Sequence, residues 1–116
     1  MRILFTIFWI AAVLAVAVLG IFDTVEAGEP QSQQHVVEIR NLQFVPKELE
    51  VKPGDTITWI NYDLVPHTVT ADDESWDSGL INANAQWQTV VKADMFASYF
   101  CRFHPTMKAR LDIVLK

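Results

Sequence analysis

The chain has 116 residues, a formal net charge of −5 and a single cysteine, Cys101. That length argues for one domain rather than two. An acidic balance excludes a protein held to nucleic acid by phosphate contacts, and a lone cysteine excludes an intramolecular disulfide.

Residues 3–22 (ILFTIFWIAAVLAVAVLGIF) carry no charge, whereas both signs are mixed after Asp23. This first segment reads as a targeting or membrane element outside the fold. Arg2 and the chain amine precede it, and Asp23, Glu26 and Glu29 follow it. Positive flanks stay on the cytoplasmic side, so the rest of the chain is expected across the membrane, in the periplasm or an equivalent extracytoplasmic space. Two readings remain open over residues 1–27. Val25-Glu26-Ala27 resembles a signal-peptide cut before Gly28. A run of this length also makes a helix of about 30 Å, long enough to anchor the protein through residues 3–22. Residues 28–34 (GEPQSQQ) then read as a polar linker, and 35–116 as the folded domain.

From Gly28 onward, eight Lys and Arg against twelve Asp and Glu leave a formal charge of −4. Apolar residues beyond His35 alternate or cluster in short β-rich runs. Strands are expected at 35–40, 42–45, 48–51, 56–61, 67–70, 86–91, 97–101 and 110–115. Pro53-Gly54-Asp55 is a turn, because Pro fixes φ and Gly accepts positive φ. Room for a helical turn exists only at 71–77 and 92–96. In TITWIN (56–61), Ile57, Trp59 and Asn61 share one face while Thr58 and Ile60 share the other. The fold class is all-β, and many short strands in so small a domain fit an antiparallel sandwich or barrel.

The chemistry concentrates in Cys101-Arg102-Phe103-His104-Pro105-Thr106-Met107, a C-x2-H-x2-M spacing, with a distant His67 between Pro66 and Thr68. Singly, each has a bland reading: Cys101 as a small buried hydrophobe, Met107 as core filler, His104 as a surface imidazole, His67 as a turn residue. Together, one thiolate, two imidazoles and a thioether are the soft donor set that suits copper in both redox states. Zinc prefers more thiolates or histidines and has little use for Met. An extended strand would deliver Cys101 to a sheet end. The loop beyond it would curl the next two donors back, with Pro105 stiffening the turn. His67 would arrive from another strand end. His35, with no sulfur nearby, reads as a surface residue.

VKPGDTITWIN (51–61), PHTVT (66–70), DSGLI (77–81), YFCRFHPTM (99–107) and the final strand resemble the cupredoxin family. The resemblance covers about residues 36–116 and is strongest to amicyanin and plastocyanin-type members. It implies a Greek-key β-sandwich holding one type 1 (blue) copper. His67, Cys101 and His104 would be the strong ligands and Met107 the axial one. It also implies a monomeric one-electron carrier rather than an enzyme, with protein donor and acceptor docking near His104. There the ring edge would meet an apolar surface lined by Pro66, Pro105 and Phe103. Three positions depart from the family pattern: Thr68 replaces a common Asn, Arg102-Phe103 is a bulky cationic pair, and Ala109 replaces a common Gly. A copper carrier or store delivering metal to an exported cuproenzyme would use the same ligands. A metal-free partner module on a membrane anchor would use none of them.

Overall fold

The computed structural model describes residues 31–116, together with Gly20 and Gly28. The leader or anchor expected over 1–27 lies, apart from Gly20, outside the described residues. Among the described residues no helix is long and apolar enough to cross a membrane.

Eight strands form two four-stranded sheets: β1 (Gln34–Arg40), β2 (Gln43–Val45), β3 (Glu48–Val51), β4 (Thr56–Asn61), β5 (Thr70–Ala71), β6 (Gln86–Val90), β7 (Ser98–Cys101) and β8 (His104–Ile113). One sheet has the order β2-β1-β4-β6 and the other β3-β8-β7-β5. The all-β expectation holds, and neither 71–77 nor 92–96 is helical: Ala71 closes β5, Asp77 makes an isolated bridge with Thr70, and turns or bends fall at 72–75 and 93–94. The antiparallel expectation does not hold throughout. β1 pairs β4 in parallel, Gln34 to Thr56 through Ile39 to Asn61, and β3 pairs β8 in parallel. The reason is topological. After the β1–β2 hairpin the chain crosses to the opposite sheet as β3, then returns as β4 in the direction of β1.

The alternating pattern of TITWIN is realised on β4, where Ile57, Trp59 and Asn61 are buried and Thr56, Thr58 and Ile60 half-buried. Period-2 side-chain alternation aims the first three at the opposite sheet. There Trp59 meets Tyr99 of β7 edge-on at 5.7 Å between ring centroids, and Tyr99 meets Phe44 of β2 at 4.9 Å. The Trp59 indole N–H donates to the Tyr99 hydroxyl at 3.4 Å. Burial, only partly opposed by that hydrogen bond, pushes the Tyr99 phenol up to about 12. A core aromatic of this kind is worth about 3–5 kcal/mol against alanine. That is a large share of the 5–15 kcal/mol or so by which a domain is stable. This aromatic layer therefore locks β4 and β7 face to face, and both strands run on into the site.

Six of the eight strands begin or end away from the expected bounds, and only β3 and β4 match them at both ends. β1 starts at Gln34, one residue early, because the Thr56 N–H donates to the Gln33 carbonyl and extends the ladder. The strand expected over 67–70 is only the short β5, preceded by an isolated bridge between His67 and Ile81. The last strand starts at His104 rather than Arg110, inside the C-x2-H-x2-M stretch itself, so that this stretch is part of the β7–β8 hairpin.

Candidate metal centre

The β7–β8 hairpin explains how one short stretch presents several donors. Phe100 pairs with Lys108, but the next residue, Cys101, pairs with His104. The ladder thus slips by three residues, and Pro105, Thr106 and Met107 are left over on β8. Pro105 has no N–H to give to β7, which suits it to this unpaired stretch. The tight reversal itself falls at Arg102-Phe103, one step earlier than the turn expected around Pro105. Cys101 and Met107 are buried, the latter 4% exposed, whereas His104 is half-buried.

His67 comes from the segment between β4 and β5. Its N–H donates to the Ile81 carbonyl at 3.1 Å and its carbonyl accepts from the Ile81 N–H at 2.8 Å. The fully buried Asn61 braces this segment from the end of β4. Its amide donates to the carbonyls of Val65 and Ile81, and its side-chain oxygen accepts from the Asp63 N–H.

These elements bring three predicted ligands to one point. The donor atoms of His67, Cys101 and His104 all lie within 4.8 Å of one another. Cys101 Sγ is 3.6 Å from His67 Nδ1 and 3.8 Å from His104 Nδ1. The two imidazoles are 5.2 Å apart between centroids. Cys101 Sγ also accepts the Thr68 backbone N–H at 3.4 Å. Met107 lies on the leftover stretch of the same hairpin and packs in the core that includes Cys101. His35 joins no metal cluster among the described residues. Nor is it the surface residue expected: its side chain is only 15% exposed and bonds Asp55 Oδ2 at 2.8 Å.

Thr68 does tie the two ligand segments. Its hydroxyl oxygen accepts the Arg102 backbone N–H at 2.9 Å. Its own proton goes to Thr70 Oγ1 at 2.9 Å, because the Thr70 proton goes on to Asp77 Oδ1 at 2.8 Å. An amide donor at one end and a carboxylate acceptor at the other set the direction of the whole chain. The Arg102 guanidinium turns outward to Glu74 at 2.7 Å and Asp77 at 3.5 Å.

Two participants escaped the sequence reading. Asp77 was visible only as part of DSGLI. Asp63 carried no signal beyond standing four residues before His67. Its carboxylate accepts from the Asn41 N–H at 2.7 Å, the Leu42 N–H at 3.0 Å and His67 Nε2 at 2.8 Å. Burial pushes this carboxyl up, but the bonds from Leu42, His67 and Asn41 outweigh it and hold it below the usual range.

A β-sandwich closing a buried thiol and two imidazoles on one point defines a mononuclear Cys–His metalloprotein. A sequence model for copper binding proteins of the plastocyanin/azurin family matches residues 31–116. The amicyanin of Paracoccus denitrificans is 30% identical over 88 residues, 67% of this chain and 63% of that protein. Amicyanin-alpha of Methylorubrum extorquens is 26% identical over 111 residues, covering 90% and 92% of the two chains. Among solved structures, a reduced amicyanin mutant superposes with a TM-score of 0.60 at 29% identity, over 70% of this chain and 82% of that one. The chain belongs to the plastocyanin/azurin family of copper-binding proteins. Copper is accordingly its cofactor, and the soft thiolate with two imidazoles fits that ion better than any hard cation.

Proposed function

We propose that the protein is a type 1 copper one-electron carrier, with His67 Nδ1, Cys101 Sγ and His104 Nδ1 as strong ligands and Met107 as the axial donor. The convergence of three donor atoms within 4.8 Å carries this reading. Copper would supply the Cu(II)/Cu(I) couple. The protein's part is to hold the donors still, so that a change of charge demands little movement. The Ile81 bridge, the Asn61 brace and the Thr68–Arg102 bond all serve that end. Two imidazoles, a thiolate and a thioether leave no open position for a substrate, which favours a carrier over an enzyme.

Electron exchange is assigned to the half-buried His104. The segments that carry the ligands expose Leu64, Val65, Pro66, Phe103 and Pro105, with Leu64 93% and Phe103 57% exposed. An apolar surface of this kind suits brief docking of protein donors and acceptors. The uncharged segment 3–22 supports an extracytoplasmic location, either released or anchored.

Copper(II) added to the purified protein should produce an intense blue thiolate-to-copper absorption, and Cys101→Ser should abolish it while leaving a folded domain. A colourless wild type under oxidising conditions would overturn the assignment. Reversible voltammetry would separate a carrier from a copper-delivery protein, which would hand metal to an acceptor without redox turnover. Met107→Leu should keep the colour and raise the potential, since a weak donor to Cu(II) is lost. An unchanged potential would remove Met107 from the axial position.

A further inference from the structure

Asp63 is placed where a single carboxylate gathers donors from three parts of the chain. The β1–β2 hairpin turns through Asn41 and Leu42, both with positive φ, 51° and 58°. A two-residue loop of this twist matches the strands but disfavours a side chain such as Leu. The N–H groups of both residues point at Asp63, which stands 22 and 21 residues further along the chain. The same carboxylate takes His67 Nε2 at 2.8 Å through Oδ2. His67 is fully buried, and the Asp63 side chain is 15% exposed.

The donor and acceptor roles fix the imidazole. Asp63 is an ionised acceptor, so His67 Nε2 must carry the proton that lies between them. A neutral imidazole protonated at Nε2 has its lone pair at Nδ1, the nitrogen 3.6 Å from Cys101 Sγ. A carboxylate partner on the far nitrogen orients a ligating imidazole and raises its basicity. Unlike a carbonyl or a water, it also brings a full negative charge, and the partly buried setting weakens solvent screening of that charge.

Building on the copper-carrier reading, we propose that Asp63 is a positioning residue of the metal centre: it locks His67 with Nδ1 facing Cys101 and His104, and its charge favours the oxidised ion. The β1–β2 turn holds Asp63 in turn, through two N–H groups that have no strand partner.

The test compares the copper-loaded Asp63→Asn protein with wild type by voltammetry at neutral pH. The variant should remain blue while its Cu(II)/Cu(I) equilibrium moves about tenfold towards Cu(I), a rise of about 59 mV for one electron. In the metal-free wild type, long-range 1H–15N spectra should show His67 as the Nε2–H tautomer with a slowly exchanging proton. That measurement decides the positioning role even if the variant does not fold, and an Nδ1–H tautomer would overturn it. A blue variant with an unchanged potential would sink the charge effect alone and leave the carrier reading standing. A colourless wild type would sink the carrier reading and this inference with it.

Discussion

Two histidine–aspartate pairs sit at opposite ends of β4, and their local chemistry is nearly the same. Asp55 precedes the strand and bonds His35 Nε2 at 2.8 Å; Asp63 follows it and bonds His67 Nε2 at 2.8 Å. Each carboxylate also gathers two backbone N–H groups, from Gln33 and Lys52 in one case and from Asn41 and Leu42 in the other. Six residues of strand, about 20 Å, separate the two. What differs is the surroundings of each histidine. His67 joins a buried thiol and a second imidazole, whereas His35 belongs to no donor cluster among the described residues. A carboxylate partner therefore does not make a histidine a ligand. It fixes the ring, and the fold decides whether the free nitrogen meets other donors.

The sharpest break of this comparison is the pair His67→Ala and His35→Ala. The first should abolish the blue absorption outright, and the second should leave its position and intensity unchanged. Loss of colour in His35→Ala would mean that the far pair supports the metal centre after all.

A smaller effect is expected at the structural pair when acid is added. Burial pushes the Asp55 carboxyl up, yet the Gln33 N–H, His35 and the Lys52 N–H outweigh it and bring it down to about 2, against an ordinary 3.8. A group depressed in the folded state stabilises fully above its unfolded value and loses that contribution as pH falls towards the folded one. Asp55→Asn should cost about 1–3 kcal/mol near neutrality, because donors once satisfied by a carboxylate now face an amide. In denaturation of the metal-free protein, the gap between wild type and Asp55→Asn should close as pH falls from about 4 to 2. A gap that stays constant would show that Asp55 acts through shape and not through charge.

Much of this protein was legible in its residues because the relevant chemistry is local. Alternation in TITWIN placed Trp59 in the core, Pro53-Gly54-Asp55 marked a turn, and C-x2-H-x2-M put three soft donors on one short stretch. The two parallel pairings were not legible, since strand direction depends on which sheet the intervening β3 joins. Nor was the three-residue slip between β7 and β8, which a periodic pattern cannot reveal. Asp63 was missed because its partners lie in separate parts of the chain, and nothing in Asn61-Tyr62-Asp63 announces them.

An all-β domain and the kinds of atoms available to a metal follow from the residues directly, because side-chain periodicity and donor softness are properties of neighbouring residues. Only the folded chain shows that a carboxylate stands behind His67, and that His35, expected at the surface, is drawn in against Asp55. Those outcomes rest on which strands pair and in what register, and only the packing of the two sheets sets that.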